Sequence, residues 1–213
     1  WIKIPHMMWT SYTSSMNIRG DVSFMGSSYT TNHTNGKSYS GYYGVLRQGV
    51  PGFLVEGYFH TYQAARHKAM NWDACRWEGE AYARGVNDYF GIGYKESYGT
   101  IYGVLRDAEK TFSHTYYTPN TNTLDKYLPI NNATVTLKNS SGQVVKTYKT
   151  DDEYNGVFVF DKVPAGNYSV TYSHPDYKEF TQSVTVTANE TSFPTPLFAT
   201  EQIPARGHYA YGL

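Results

Sequence analysis

Glu56 has the residue type and the position of a proton-transfer group. It follows the short apolar run 52–55, which is entered through Pro51. A continuous apolar run of this length is typical of a strand buried on both faces of a parallel sheet. Because open α/β sheets place their chemistry at the carboxyl ends of such strands, Glu56 is a candidate for acid–base catalysis. A surface glutamate at a strand end is the alternative that this pattern leaves open.

Aromatic side chains and a histidine lie close to this carboxylate in the sequence. Tyr58 and His60 follow Glu56, and we expect both to contact a substrate. For His60, a partly buried imidazole bonded to the backbone is the alternative. Upstream, the polar, Gly-rich stretch 27–41 reads as a long functional loop or lid. Its aromatic residues, with Tyr43 just after it, are suited to a sugar or peptide groove, although a surface loop without a ligand explains them equally well.

Two predicted helices and a short strand accompany this central strand. Apolar residues have helical spacing in 5–16 and 72–90, and residues 21–24 read as a strand. Asn71 is suited to cap the second helix, which we expect to pack on a sheet. Its predicted apolar face comprises Ala74, Cys75, Ala81, Tyr82, Gly85, Val86 and Tyr89.

The side chains of this second helix give two further expectations. We expect Cys75 to be buried, and we expect Glu80 and Arg84 to form an i,i+4 pair on the solvated side. The sheet around this strand is incomplete in the sequence. A buried parallel strand needs hydrogen-bonded neighbouring strands, and residues 1–95 offer at most one or two other strands. We expect the remaining strands in a longer parent chain or in a second polypeptide.

Residues 96–199 change to short runs of β-forming residues separated by turn residues. The runs are 100–107, 132–139, 143–150, 156–163, 167–174 and 180–187. Separators such as Ser-Ser-Gly and Val-Pro-Ala-Gly have turn chemistry, so the pattern predicts an all-β sandwich. We expect its core to contain Phe158, Phe160, Tyr168, Val170, Val184 and Val186. The acidic residues 151–153 are either a Ca²⁺ site or a solvated turn.

Composition excludes some classes of function. The chain has 213 residues, a formal net charge of zero and 22 tyrosines, so it lacks the basic excess that a nucleic-acid partner demands. Its single cysteine excludes an intrachain disulfide. No apolar run is long enough to cross a bilayer. The chain starts at Trp1 without an initiator Met or a signal peptide, and we expect a processed product or part of a longer protein.

Four segments of the first part carry a further pattern. They are NIRG (17–20), YYGVLRQ (42–48), VPGFLVEGYFHTY (50–62) and a helix ending ARGVNDYFG (83–91). Together they resemble the C-terminal part of the zinc-dependent N-acetylmuramoyl-L-alanine amidases. The resemblance implies that Glu56 is the general base and acid of amide hydrolysis in peptidoglycan. We place substrate binding at Tyr58, His60, Arg19 and Tyr43. The variant with His60 resembles a branch found in large bacterial envelope proteins, some labelled xanthan lyases.

The same resemblance implies zinc in the parent protein. The family's ligands, two histidines and a glutamate, precede the helix with which this chain starts, and none of them is present. The seven histidines of the chain show no ligand spacing of their own. We therefore expect the missing N-terminal half of the amidase-like domain as a partner, in the same parent chain or as a cleaved fragment. Alone, the 213-residue chain is expected to be inactive.

The second part carries motifs of another family. GTIYGVLRD (99–107), LPINNATVTL (128–137) and NGVFVFDKVPAGNYSVTY (155–172) resemble the carboxypeptidase regulatory-like domain, a transthyretin-like sandwich. The resemblance implies a spacer or adhesion module without catalytic residues. The tail resumes an apolar and aromatic pattern.

These observations predict three parts: 1–95, a partial α/β amidase-like domain; 96–199, the all-β sandwich; and 200–213, a linker or the start of a further domain. The predicted function is that of a secreted or envelope bacterial hydrolase acting on peptidoglycan or another glycan. One alternative is a zinc carboxypeptidase, because in that family too a late strand ends in a catalytic glutamate and a transthyretin-like domain follows. The other is a non-catalytic adhesive or glycan-binding envelope protein.

Overall fold

A computed structural model describes residues 30–32, 38–40, 62–92, 96–112, 122 and 124–198. The chain divides into two compact units, residues 12–59 and a larger unit of residues 60–213 together with 1–11. In the smaller unit, strands β1 (Thr30–Asn32) and β2 (Ser38–Ser40) pair antiparallel. The stretch 27–41 therefore contains two short paired strands that were not predicted, while its role as a functional loop or lid stays a prediction.

The described part of the larger unit contains two helices, one 3₁₀ turn and ten strands. They are α1 (Gln63–Ala69), α2 (Trp72–Tyr89), β3 (Tyr98–Val104), β4 (Arg106–Thr111), the 3₁₀ turn Leu124–Lys126, β5 (Tyr127–Pro129), β6 (Thr134–Asn139), β7 (Val144–Lys149), β8 (Val157–Pro164), β9 (Gly166–His174), β10 (Tyr177–Val186), β11 (Thr191–Ser192) and β12 (Leu197–Phe198). The all-β sandwich predicted for 96–199 is confirmed as a fold class. The amidase-like sheet predicted around 52–55 lies outside the described residues and stays a prediction.

Two layers of strands form the sandwich. One sheet has the order β10-β9-β6-β7, antiparallel throughout. In the other layer, β3 and β4 follow one another across Leu105, whose N–H donates to Gly156 and whose carbonyl oxygen accepts from Ile130. Here the strand changes partner from β8 to β5, while β11 and β12 lie parallel along its other edge. The first and last strands of the sandwich are therefore neighbours that run in the same direction.

The core lies between these two layers. Of the six predicted core residues, Phe158, Phe160, Val170, Val184 and Val186 are buried. Tyr168 packs against the core while partly exposed, and its hydroxyl donates to the carbonyl oxygen of Pro164 at 2.9 Å. Alternating apolar residues thus identified the inward face of the strands correctly.

Helix α2 covers the outer face of the β3–β8 pair. Tyr102 and Val159 face each other across that pair on the side away from the core, and both are buried. The indole of Trp77 on α2 stacks on Tyr102, with ring centroids 4.3 Å apart, and donates to Thr191 Oγ1 at 3.0 Å. Because both faces of this sheet are covered, β8 begins with the unbroken apolar run 157–160 instead of an alternating one.

The face of α2 that packs on the sheet overlaps the predicted one, since Ala74, Ala81 and Gly85 of that prediction are buried, but it is centred on Trp77, which the prediction did not include. Ala74, Trp77, Ala81 and Arg84 are buried at helical spacing, whereas Cys75 is exposed. The expectation of a buried Cys75 was therefore wrong.

The predicted pair of this helix was only partly right. Arg84 lies 4.0 Å from Glu80, but Arg84 is 3% exposed and does not lie on a solvated face. Two other predictions are confirmed. The side chain of Asn71 caps α2 by accepting from the Ala74 N–H at 2.9 Å, and the helix ends within one residue of its predicted end.

Gly156 is a position where an added methyl group has no space. It has φ +61°, and a Cβ built on it would lie 2.3 Å from the carbonyl oxygen of Leu105. We expect Gly156→Ala to lower the free energy of unfolding by about 3 kcal/mol, since backbone strain and a clash with backbone add. Gly142 is the matched control: its φ is +80°, but nothing lies within 4 Å of a Cβ placed there. Gly142→Ala should cost only the strain, about 1–2 kcal/mol. Equal losses in urea unfolding would contradict the prediction.

Neither α1 nor α2, nor any other helix among the described residues, is long and apolar enough to cross a membrane.

Candidate functional site

The five site residues predicted from sequence lie outside the described residues. They are Glu56, with Tyr58, His60, Arg19 and Tyr43 around the expected substrate. Their roles stay predictions. Within the described residues, the strongest concentration of ionisable side chains lies elsewhere, where α1 meets β4 and the 3₁₀ turn.

Three buried charged side chains meet at that point, and we call them the ion cluster: Lys68, Arg106 and Asp125. Lys68 Nζ lies 3.0 Å and Arg106 Nη2 2.8 Å from the same oxygen, Asp125 Oδ1. Tyr62 donates its hydroxyl to Asp125 Oδ2 at 3.1 Å. All three charged residues are at most 3% exposed. The cluster ties a helix, a strand and a turn together through one carboxylate.

Local structure explains how these groups converge. Helix α1 is a run of good helix formers, and its end is closed by the Met70 N–H, which donates to the last carbonyl groups. Lys68 lies in its last turn, on the side that packs on the sandwich. Arg106 begins β4, directly after the partner change at Leu105, and Nη1 also donates to the carbonyl oxygen of Val104. Asp125 is held by the 3₁₀ turn Leu124–Lys126, which directly precedes β5.

Burial and neighbouring charge set the protonation states of the cluster. Burial lowers the pKa of Lys68 to about 8, with Arg106 adding to this shift and Asp125 opposing it. Burial alone would raise the pKa of Asp125, but Lys68 and Arg106 outweigh it and hold that pKa below its ordinary value. At neutral pH the cluster therefore contains a carboxylate bonded to two cations.

This protonation state limits the chemistry of the cluster. Amide formation between Lys68 and Asp125, with loss of water, needs a neutral amine and a protonated carboxyl group. Arg106 stabilises the ionised carboxylate instead, so the geometry favours a lasting ion network. Such a network is costly to break from one side, because a buried charge then loses its counter-charge.

A small cavity adjoins the ion cluster. It is lined by Lys68, Arg106 and Asp125 together with His67, Phe112, Tyr154 and other residues of α1, β5 and the loop before β8. Its volume is about 10 Å³, close to what a single water molecule needs. As lined by the described residues, the cavity therefore has room for about one water molecule.

A second buried carboxylate, Asp107, links the two sheets. Tyr177 on β10 donates its hydroxyl to Asp107 Oδ2 at 2.5 Å, and Lys110 Nζ lies 3.4 Å from the same oxygen. The N–H groups of Glu109 and Lys110 donate to Oδ1. Although burial opposes it, these bonds hold the pKa of Asp107 below its ordinary value. Every partner named belongs to the sandwich, so the group has a structural role.

The acidic turn 151–153 is also occupied by internal bonds. Asp151 accepts from Asn71 Nδ2 at 2.8 Å, from Asn155 Nδ2 at 3.0 Å and from the Glu153 N–H at 3.1 Å. This carboxylate thus connects the cap of α2 to the sandwich. Among the described residues, no group of three or more His, Cys, Asp or Glu side chains is placed to hold a metal ion. They therefore do not fit the zinc that the amidase resemblance implies.

The lowered pKa of Lys68 gives a pH-dependent prediction. The unfolded chain binds a proton at Lys68 with the ordinary pKa of 10.5, the folded chain with a pKa of about 8. Between these values the unfolded state binds more protons, so the contribution of Lys68 to stability rises with pH, by on the order of 3 kcal/mol across the window. Below pH 8 the full cost of burying the ammonium is present. We expect the unfolding free energy of wild type, minus that of Lys68→Met, to increase from pH 8 to pH 10.

Urea unfolding at several pH values measures this difference. The exposed Lys149 provides the control, since Lys149→Met should leave the pH dependence of wild type unchanged. A difference between wild type and Lys68→Met that stays flat from pH 8 to 10 would contradict the prediction.

Reasoning from the sequence did not identify the ion cluster. Lys68 lies 57 positions and Arg106 lies 19 positions before Asp125 in the sequence, so no local spacing brings the three residues together. One signal was present in the sequence: Arg106 directly follows the run TIYGVL at 100–105, which contains no charged residue. A charged residue that continues such a strand must be paired or emerge to solvent.

A family model supports the identity of the sandwich. Residues 124–194 match the carboxypeptidase regulatory-like domain, from the 3₁₀ turn that carries Asp125 to just after β11. This confirms the family expected for that part of the chain. The match does not extend to α1, α2, β3 or β4.

Curated relatives and solved structures cover a similar share of the chain. The Serine-aspartate repeat-containing protein E of Staphylococcus aureus is 33% identical over 113 aligned residues, which cover 45% of this chain and 9% of the relative in strain Newman and 10% in strain MSSA476. The chain thus spans about a tenth of the length of these relatives. Two solved structures each align with 47% of this chain at a TM-score of 0.32: the Bacillus anthracis TIE protein, with 21% identity over 17% of its chain, and Klebsiella pneumoniae 5-hydroxyisourate hydrolase, with 16% identity over 90% of its chain.

Proposed function

We propose that this chain, whose residues 124–194 carry a carboxypeptidase regulatory-like domain, serves as a structural module of a bacterial envelope or secreted protein, as a spacer or an adhesive part. The observation that carries the proposal is the use of the buried charges. Lys68, Arg106 and Asp125 bond to one another, and the cavity beside them has a volume of about 10 Å³. Among the described residues, these buried ionisable groups thus connect a helix to the strands of the sandwich.

The relatives support the same proposal. They are bacterial proteins whose name describes repeats, and the matched region is a small fraction of each. A module that forms a minor part of a long chain is suited to spacing or presenting other parts. An extracellular or envelope location follows from this proposal.

Surface labelling of the native bacterium tests the location. Antibodies raised against the full chain should bind intact cells or the secreted fraction, and protease treatment of intact cells should remove any bound signal. A cytoplasmic protein followed in parallel must survive the treatment. Signal that appears only after lysis would reject the proposal. Binding of the full chain to purified peptidoglycan and polysaccharides then separates an adhesive part, which binds, from a spacer, which does not.

A second candidate function is amide hydrolysis in peptidoglycan, with Glu56 as the proton-transfer group. The observation in its favour is the sequence VPGFLVEGYFHTY at 50–62. In this proposal Glu56 takes and delivers a proton at its carboxylate, while Tyr58, His60, Arg19 and Tyr43 bind substrate. The metal would have to be held by residues other than the described ones, supplied by the missing half of the domain or by a partner.

A conservative substitution tests this second function in the parent protein. Glu56→Gln keeps the size of the side chain but removes the base, and should reduce hydrolysis of peptidoglycan by about 10²-fold or more. Glu153→Gln, at an exposed position of the sandwich, is the control and should leave hydrolysis unchanged. Metal analysis of the parent gives an independent measurement. Full activity of Glu56→Gln, or a parent without bound zinc, would reject the amidase and the carboxypeptidase alternatives together.

A further inference from the structure

The chain enters and leaves the sandwich at the same end. On the entering side, Tyr62 and Lys68 bond to Asp125, which Arg106 also contacts. On the leaving side, the Arg106 N–H donates to the carbonyl oxygen of Pro196 at 3.3 Å, and Leu197 pairs with Arg106. The bonded pair of Asp125 and Arg106 therefore joins the two sides, because Asp125 contacts residues 62 and 68 while Arg106 contacts residues 196 and 197.

Helix α2 produces this arrangement, because it runs antiparallel to β3. Its start lies beside the loop after β7, where Asn71 donates to Asp151. Farther along, Trp77 stacks on Tyr102, and the strand that follows begins at Tyr98. Without the helices, the chain would enter the sandwich at Tyr98 and leave at Phe198, at opposite ends of the paired strands.

We propose that α1 and α2, which we call the strap, detach from the sandwich under tension before the sandwich unfolds, and that detachment transfers the load to its first and last strands in shear. The strap carries the chain from one end of the sandwich to the other. While it is docked, a pull on residues 62 and 198 acts at one end. Once it is released, the same pull acts along the full length of the sandwich.

The direction of the load decides the order of events. A pull at residue 62 acts first on the contacts of Tyr62 and Lys68 with Asp125, then on those of Asn71 and the rest of α2, one after another. Contacts that are loaded one at a time break at lower force than contacts that are loaded together, because each contact then has to cross only its own small activation barrier. The strap is therefore peeled from the sandwich.

The released sandwich presents a different geometry. Its first strand, β3–β4, and its last, β11–β12, run parallel and pair at two short stretches, residues 191–192 with 100–101 and residues 197–198 with 106–107, so opposite pulls on Tyr98 and Phe198 load both stretches at the same time. Further bonds reinforce the pair: the side chain of Asn189 accepts from the Glu96 N–H at 2.8 Å and donates to its carbonyl oxygen at 3.3 Å. The Thr100 N–H donates to Glu190 at 3.0 Å. This pair acts as a clamp.

The proposal rests on the structural role proposed above in one respect only: that role is the reason to expect tension on the protein in the cell. The order of detachment follows from the geometry of residues 62–198 and can be measured on the protein alone. A negative surface-labelling result would reject the structural role and leave the order of detachment standing, whereas a wrong order would reject the strap and leave the location standing.

Single-molecule pulling of the full chain tests the proposal in two geometries. Both use Cys75→Ser, which removes the exposed native thiol, and attach one handle through Thr200→Cys. The other handle is attached through Thr61→Cys, upstream of the strap, or through Ser97→Cys, downstream of it. From Thr61 we expect two steps, a first that releases about 36 residues or roughly 130 Å of chain and a second, at higher force, that releases about 101 residues or roughly 360 Å. From Ser97 we expect only the second step, at the same force.

Three substitutions separate the strap from the clamp. Lys68→Met weakens an anchor of the strap and should lower the force of the first step alone. Asn189→Gly, which tolerates the φ of 63° at this position, should lower the force of the second step alone. Val170→Ala, in the core of the other sheet, is the control that lowers equilibrium stability without weakening either set of contacts.

Two results would overturn the proposal. A single step of roughly 490 Å from Thr61 would show that the strap and the sandwich unfold as one unit. A second step at a force no higher than the first, or one that Val170→Ala weakens as much as Asn189→Gly does, would show that the terminal strands are not a clamp.

Discussion

Trp77→Ala should lower the free energy of unfolding of the larger unit by about 3–5 kcal/mol. The indole is 2% exposed, stacks on Tyr102 at 4.3 Å and contacts Phe193 edge-on at 5.8 Å. Its removal leaves a cavity between α2 and the sheet and takes the hydrogen-bond donor from Thr191. Urea unfolding of the full chain, followed by circular dichroism, measures the loss.

Trp72 provides a matched control in the same helix. It is 81% exposed, so Trp72→Ala removes an indole without opening a cavity and should change stability by less than about 0.5 kcal/mol. If the two substitutions cost the same, α2 would contribute through its helical content and not through its contact with the sandwich. A large loss for Trp77→Ala alone would establish the helix as a third layer of this unit.

Asp125→Asn should cost about 3–5 kcal/mol, because it removes the negative charge that two buried cations face. Lys68 and Arg106 approach Asp125 Oδ1 at 3.0 and 2.8 Å, and both are nearly inaccessible to water. An amide oxygen can accept a hydrogen bond from either cation but carries no charge. The loss should be largest at neutral pH, where Lys68 is protonated.

A double substitution shows whether the charge is responsible. Lys68→Met removes one of the two cations, so Asp125→Asn should cost less in that background than in wild type. Asp176→Asn, with 77% of its side chain exposed, is the control and should change stability by less than about 0.5 kcal/mol. Equal costs of Asp125→Asn in both backgrounds would contradict the charge argument.

The sandwich was predictable because its signals are local. The run predicted at 167–174 corresponds to β9, Gly166–His174, and that at 132–139 to β6, Thr134–Asn139. Alternation of apolar residues and turn chemistry between the runs suffice for such strands. In contrast, β4 has the polar sequence RDAEKT and was not predicted as a separate strand beyond Asp107, because its pairing with β5 and β12 depends on distant parts of the chain.

The errors on α2 have a similar cause. Projection of its sequence placed Cys75 inside and Arg84 outside, but the sheet beneath selects the face that carries Trp77. The helix buries a large aromatic side chain against Tyr102, and a rotation about its axis follows from that contact. The ion cluster escaped prediction for the same reason, since three charges that are distant in sequence give no periodic signal. The predicted site around Glu56 lies outside the described residues and stays a prediction.

Residues 62–68 and 196–197 both lie beside the bonded pair of Asp125 and Arg106, and this arrangement affects how residues 62–198 could be gained or lost as a unit in evolution. A folded unit whose ends emerge side by side can be placed within a surface loop of a host protein with little change in the host's fold. Residues 62–198 satisfy that condition through α2, which returns the chain to its starting point. Genetic transfer of residues 124–194 alone would omit α1, α2, β3 and β4. We expect the transferable unit to begin before Tyr62, well upstream of the matched family region.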